Sequence, residues 1–285
     1  MNRTLRIANY GMGTNSSAML IEATRREIIL DLIVESDTGD EFKRSYDYSR
    51  MLEEWLVARG QPNFTRTRWE REKPVPGLEQ YGTFVPISVL ALHRKELPSK
   101  AYGLSGCTSK WKQQPIDKEI RRNPSVLAAW TRGDIVERWV GYDAGEPERS
   151  DRMLAKNPQP PPHKGIQFRW HWRTPLVEWG MDRDACIKTI MAAGLALPGK
   201  SACFDCPSTT KAELDRMAEE EPDWRTGNGY LARAIQIEDA ARGSGNLSMV
   251  KGLGRRFAWR DYLEGKETYG DAPDMECGCF DGEAA

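Results

Sequence analysis

Leu5-Arg6-Ile7-Ala8-Asn9-Tyr10-Gly11-Met12-Gly13-Thr14-Asn15-Ser16-Ser17-Ala18-Met19-Leu20 sets the frame for the whole chain. Leu5 to Asn9 alternates apolar and polar residues, as a strand does, and a glycine turn follows. Beyond it Met19, Leu20 and Ala23 recur at helical spacing. A strand, a glycine loop and a helix in that order gather backbone amides and a helix N-terminus around one point, an arrangement that cradles phosphate. Gly11 and Gly13 allow close approach, while Ser16 and Ser17 carry hydroxyl donors. The loop has neither the Gly-Lys-Ser/Thr ending of a Walker loop nor the spacing of the dinucleotide fingerprint.

The same order repeats downstream. Ile28 to Val34 is a dense apolar run broken by Asp31, and it ends at Glu35-Ser36-Asp37-Thr38-Gly39-Asp40 ahead of an amphipathic segment from Phe42 to Ala58. Repetition of strand and helix implies a parallel sheet with helical crossovers. Phe64 to Arg68 reads as a further strand, and prolines 74 and 76 mark a loop. Residues 84–95 and 108–121 read as helices, and Ile135 to Gly141 as a strand ending in Tyr142-Asp143-Ala144-Gly145-Glu146-Pro147. Lys156 to Lys164 contains NPQPPPHK, a surface loop of polyproline character. Met181 to Ala193 reads as a helix capped by Asp182, another starts near Ser208, and residues 225–256 hold glycines and short helical pieces.

These elements predict an α/β fold of three layers, a mostly parallel twisted sheet with helices on both faces. Residues 1–210 are expected to form the nucleotide-binding domain. Residues 211–285 form a helical and irregular extension with a cysteine tail, packed on the same domain.

With 41 basic and 42 acidic residues, the net charge of −1 decides nothing about nucleic acid. The N-terminal apolar stretch is too short for a signal-peptide core, and no 18-residue apolar run occurs. The expected location is therefore cytoplasmic, with no membrane partner. In that compartment the six cysteines, at 107, 186, 203, 206, 277 and 279, read as metal ligands or reactive thiols rather than a disulfide framework.

Cys107-Thr108-Ser109-Lys110-Trp111-Lys112 stands before a helix among basic groups, a setting that favours thiolate. Cys203-Phe204-Asp205-Cys206 has the two-residue spacing that lets two sulfurs face one metal. With Cys107 and a thiol from Cys277-Gly278-Cys279, four thiolates are available for iron–sulfur or zinc. Cys186 lies in an apolar helical stretch and reads as a core thiol. Lys110, Lys112, Arg132 and Arg149 are candidates for clamping phosphate or sulfate, whereas His93, His163 and His171 form no ligand pattern.

The segment Tyr10-Gly11-Met12-Gly13-Thr14-Asn15-Ser16-Ser17 resembles the PP-loop of the adenine-nucleotide α-hydrolase families, which usually reads Ser-Gly-Gly-x-Asp-Ser. Gly13 and Ser16 match; Gly11, Met12 and Asn15 stand for the serine, the first glycine and the aspartate. Asparagine removes a charge that would help hold magnesium. Asp37-Thr38-Gly39-Asp40-Glu41 is similar to the Asp-Thr-Gly-x-Glu segment of the same superfamily, which lies beside the nucleotide. The stretch from Gly141 through Glu146 to Arg149 loosely resembles a later glycine, acidic and arginine segment near the phosphates.

Glu276-Cys277-Gly278-Cys279-Phe280 resembles the Glu-Cys-Gly-Leu-His end of the sulfonucleotide reductases, in which the tail cysteine attacks sulfur. Cys203 and Cys206 match that family's later cluster pair, while Gly106-Cys107 replaces its double cysteine. The resemblance extends to the DNA phosphorothioation sulfurtransferases through Cys107-Thr108, Lys110, Lys112 and Pro115.

What it implies is ATP or another adenine nucleotide bound on the loop and a 4Fe-4S cluster on Cys107, Cys203, Cys206 and Cys277. Magnesium would assist, and zinc is the alternative metal. The implied activity is an ATP pyrophosphatase serving sulfur transfer. The alternatives are reduction of phosphoadenosine phosphosulfate or adenosine phosphosulfate, with Cys277 or Cys279 as nucleophile, and a nonenzymatic module with structural zinc. DNA or tRNA, thioredoxin or a sulfur-donor protein, and a second copy of the chain are the implied partners.

Overall fold

The computed structural model describes residues 3–104, 106–157, 170–245, 247 and 250–266. Its first half runs β1 (Thr4–Tyr10), α1 (Thr14–Arg25), β2 (Leu32–Asp37), α2 (Lys43–Val57), β3 (Phe64–Arg68) and α3 (Ile87–Arg94). A π-helical segment, Cys107–Gln113, then continues directly into α4 (Gln114–Arg122), followed by α5 (Pro124–Arg132), β4 (Ile135–Trp139) and α6 (Pro147–Leu154). The remainder is β5 (His171–Arg173), α7 (Pro175–Glu178), α8 (Arg183–Ala192), α9 (Lys211–Glu220), α10 (Tyr230–Ser244) and α11 (Trp259–Leu263).

The five strands form an all-parallel sheet in the order β3-β2-β1-β4-β5. The chain builds outward from β1 to β3 on one side, then crosses over and builds from β4 to β5 on the other. The switch point therefore falls between β1 and β4, where open α/β sheets form their crevice at the carboxyl ends of the strands. Ile7 of β1 faces Leu32 of β2 and Arg138 of β4 in register.

Alternation along β1 divides the core. Ala8 and Tyr10 pack with Ala18, Met19 and Ile21 of α1, Leu52 of α2 and Ile190 of α8. Leu5 and Ile7 pack on the opposite face with Ile116 and Ile120 of α4 and Val126 of α5. Helix, sheet and helix make the three layers. A further cluster joins Leu214 of α9, Ile235 and Ile237 of α10 and Trp259 of α11 to Ala91, Leu97 and Phe204.

Several elements differ from their sequence reading. Residues 84–86 precede α3, because Pro86 caps it from outside. Residues 225–256 hold a 15-residue helix rather than only short pieces. Both α5 and β5 were absent from the sequence reading. Most of the proline-rich loop, from residue 158, and the cysteine tail with Cys277 and Cys279 lie outside the described residues. Among the described residues no helix is long and apolar enough to cross a membrane.

The predicted cap of α8 is present: Asp182 accepts a hydrogen bond from the Ala185 amide at 2.8 Å. Asp182→Ala is expected to cost about 1 kcal/mol of stability, the usual size of a lost N-cap. A thermal unfolding midpoint equal to that of the parent would contradict this.

Candidate functional site

The loop after β1 leads straight into α1. Gly13 is the N-cap residue, and no side chain caps the first amides of the helix. The serine hydroxyls brace the loop internally: Ser17 Oγ donates to the Gly13 carbonyl at 2.8 Å, and Ser16 Oγ does so at 3.2 Å. Tyr10, buried beneath them, has its hydroxyl 3.4 Å from Ser17 Oγ. Met12 takes the left-handed conformation (φ 58°) usually left to glycine, and its side chain is buried in the core. Burial of that side chain offsets the backbone strain.

β4 brings Gly141 against the first turn of α1. A Cβ on Gly141 would lie 2.9 Å from both the amide nitrogen and the Cα of Ser16. Only glycine permits that approach. The two loops enclose a cleft of about 470 Å³, lined among others by Gly11, Gly13, Thr14, Asn15, Ser16, Gly141, Glu146, Arg149, Arg183 and Lys200.

Asn15 is the hub of the cleft wall. Its Nδ2 donates to Asp143 Oδ2 at 2.7 Å and to Glu146 Oε2 at 3.1 Å, while its Oδ1 accepts from Arg183 at 2.8 Å. Glu146 is also paired with Arg149. An aspartate at position 15 would face two carboxylates, so asparagine is the residue this surrounding accommodates. Sequence reasoning missed Asp143 and Arg183 as partners of the loop. They lie 128 and 168 positions away, and only the adjacency of β1 and β4 and the packing of α8 on α1 brings them in.

A second polar element lies beneath the cleft. Asn9, on β1, accepts from Arg138 Nε at 3.1 Å through its Oδ1. Arg138 is itself held by Asp117 at 2.5 Å and lies 4.6 and 4.5 Å from the Trp170 and Trp172 rings. These two tryptophans thus pack against a cation.

The segment after β2 serves another place. Asp37 accepts from Tyr46 at 2.6 Å and lines a separate, larger cleft of about 690 Å³ with Glu35, Arg66 and Lys118. Gly39 has φ 80°, and a Cβ there would press on Phe84 and Pro86 at 3.0 Å. Thr38 Oγ1 lies 3.3 Å from Cys203 Sγ, and Glu41 forms an antiparallel bridge with Cys203. The Cys203 segment is tied to the β1–α1 loop as well, because Ser201 donates to the Gly11 carbonyl.

Lys112, expected near phosphate, is buried in an ion pair with Glu41 at 3.1 Å. Burial opposes its ammonium, but Glu41 and the nearby Cys203 and Cys206 raise its pKa above the ordinary lysine value. Lys110 lies 4.4 Å from the centre of the Trp69 ring, and Arg132 pairs with Asp134. None of the three lines the 470 Å³ cleft, whereas Arg149 does.

Burial, then Glu41, pushes the Cys203 thiol well above its usual range, and burial raises Cys206 too. Both are therefore protonated at neutral pH, and a protonated thiol is a poor nucleophile. Cys206 shares a turn with Cys203, its amide donating to the Cys203 carbonyl at 3.1 Å. Cys107 is tied instead to Ser99, whose Oγ lies 3.1 Å from its sulfur. Cys186 is buried in the main core, its thiol pushed up to about 12 by burial.

Among the described residues no group of three or more Cys, His, Asp or Glu side chains is arranged to hold a metal ion. Of the four thiols expected to hold a cluster, Cys203 and Cys206 share one turn and Cys107 is tied to serine, while Cys277 lies outside the described residues.

The fold and cleft define an all-parallel α/β protein with an anion-ready helix N-terminus at its switch point. Compared with models of known protein families and with curated proteins, the chain matches none of them.

Proposed function

We propose that the chain is an adenine-nucleotide-binding enzyme of the PP-loop kind, an ATP pyrophosphatase that activates an acceptor for sulfur transfer. One observation carries the reading: the loop after β1 and the loop after β4 meet at the switch point, with Gly141 against the open first turn of α1. Helix amides and dipole there favour a phosphate group.

In the proposed reaction a nucleophilic acceptor attacks the α-phosphorus of ATP. The bond from that phosphorus to the bridging oxygen breaks, and pyrophosphate leaves with the electron pair. Positioned amides stabilise the charge that develops, and the cleft supplies orientation rather than a strong base. The sulfur-transfer part of the proposal draws on the Cys203–Cys206 pair as ligands of an iron–sulfur cluster rather than as nucleophiles, and the Ser201 segment joins that pair to the phosphate loop. The reductase alternative depends on Cys277, outside the described residues.

Product analysis tests the proposal. The full chain with ATP, magnesium, a sulfide donor and a panel of tRNA and DNA acceptors is expected to release pyrophosphate together with AMP or an adenylated acceptor. ADP with inorganic phosphate as the products, or no ATP binding by calorimetry, would refute it.

A further inference from the structure

Among the described residues three cationic side chains line the cleft, and two of them are neutralised within it. Arg149 is paired with Glu146 and lies 4.6 Å from the centre of the Tyr142 ring. Lys200 is paired with Glu213 at 2.7 Å. Glu146 and Glu213 are the acidic residues of the same lining. Arg183, the first residue of α8, has no carboxylate at ion-pair distance among the described residues; it rests on the neutral Asn15 Oδ1 at 2.8 Å. Among the described residues of the lining, the guanidinium of Arg183 is therefore the one positive charge without a carboxylate partner.

A second observation points to a ligand rich in acceptor atoms. Arg138 can only donate, so its bond to Asn9 fixes Oδ1 on that side and leaves Nδ2 as a donor on the other. Asn9 is 1% exposed, lines the cleft, and its Nδ2 has no hydrogen-bond partner. A buried donor without an acceptor is costly, and an oxygen arriving in the cleft relieves it. An unpaired donor at the base, open amides at the start of α1 and, beside them, a guanidinium without a carboxylate partner match a polyanion with several acceptor oxygens.

We infer that Arg183 clamps the phosphate chain of the nucleotide, leaving Asn15 for the phosphate oxygens when the ligand binds. This deepens the nucleotide reading and rests on it. Energetics favour the exchange: a guanidinium on a neutral amide gives up a modest hydrogen bond for a charge-assisted, two-pronged one to phosphate. The neutral side chain at position 15 is what keeps Arg183 available, because an aspartate there would hold it in an ion pair. Asn15 is thus the resting place of the clamp. A clamp on the phosphate chain distinguishes ATP from AMP, whose single phosphate occupies the α1 amides alone.

Calorimetric titration of ATP and AMP into the full chain tests this with Arg183→Gln and Arg183→Lys. Glutamine retains a donor for Asn15 Oδ1, so it removes charge while preserving the resting contact. Arg183→Gln is expected to raise the Kd for ATP on the order of tenfold to a hundredfold. Its Kd for AMP should change less than about threefold, and Arg183→Lys, which keeps the charge but not the two-pronged geometry, should recover only part of the ATP affinity. An unchanged ATP affinity in Arg183→Gln, or equal losses for ATP and AMP, overturns the assignment. If the parent chain binds neither nucleotide, the nucleotide reading itself falls; parent binding matched by Arg183→Gln removes only the clamp.

Discussion

Gly141→Ala is expected to weaken ATP binding by about tenfold or more, equivalent to roughly 1.4 kcal/mol for each factor of ten, and to destabilise the fold as well. The added Cβ would meet Ser16 N and Cα at 2.9 Å and the Asn15 carbonyl carbon at 3.2 Å, all backbone atoms that no rotamer change can move aside. Helix α1 cannot retreat, because Ala18, Met19, Leu20, Ile21 and Ala23 are all fully buried. Nor can β4, which is paired on both sides, with β1 and β5. The strain then falls on the first turn of α1, whose amides are the proposed phosphate cradle. Overpacking of this kind costs about 1–3 kcal/mol.

Gly243→Ala supplies the comparison. It lies within α10, where an added Cβ meets nothing within 4 Å, so a gain of up to about 1 kcal/mol from helix propensity is expected. Thermal unfolding and ATP titration of the two variants separate the effect of an added methyl from that of its place. Parent-like ATP affinity in Gly141→Ala would remove the close approach from the argument.

Elements whose signals are local were legible in the chain. The strand Phe64–Arg68 agrees at both ends, and Asp182 caps α8 as its sequence position implies. The β1–α1 loop was legible because glycines between a strand and a helix have a restricted meaning. Helix α5 escaped the sequence reading although its local signals are complete: Asn123 as N-cap, Pro124 at the first position and Gly133 beyond the last. Strand β5 carried no such signal. It is three residues long, and its neighbour Trp170 and its own Trp172 answer to Arg138 of β4, a contact that only the folded sheet creates.

The same contrast holds at the site. Gly11 to Ser17 declare a loop, but what Asn15 does depends on Asp143 and Arg183, which the sheet order and helix packing bring to it. Lys110 and Lys112 look like phosphate ligands in sequence, yet an ion pair with Glu41 and an aromatic ring engage them in the fold. Charge in a sequence names a capacity, and the buried partner decides its use. Helix α10 shows how this misleads periodicity: glycines 229 and 245 read as loop signals although they bound the helix, and Glu238 interrupts its apolar stripe while being fully buried.

Glu238→Ala is accordingly expected to cost about 3–5 kcal/mol, the largest single-site stability loss argued for this chain. Glu238 Oε2 accepts from the amides of Leu253 at 2.7 Å and Trp259 at 2.9 Å, and Oε1 accepts from that of Arg260 at 3.0 Å. The last two open α11, whose own N-cap residue, Ala258, supplies no side-chain acceptor. One carboxylate thus caps a helix from the middle of another and anchors the Leu253 turn. Gly252 makes room for it, since a Cβ there would lie 2.3 Å from Oε2. Burial raises the carboxyl pKa above its usual value against the opposing pull of the three amides. Alanine would strand two buried N–H groups and a partly buried third, and leave a cavity. Glu238→Gln separates the two losses: it fills the volume and keeps one oxygen for the Leu253 and Trp259 amides, but turns an NH2 group toward the Arg260 donor. Urea unfolding should place Glu238→Gln between the parent and Glu238→Ala, with hydrogen exchange quickened first at Arg260. A Gln variant as stable as the parent would show that volume, not the three acceptor bonds, holds α11 in place.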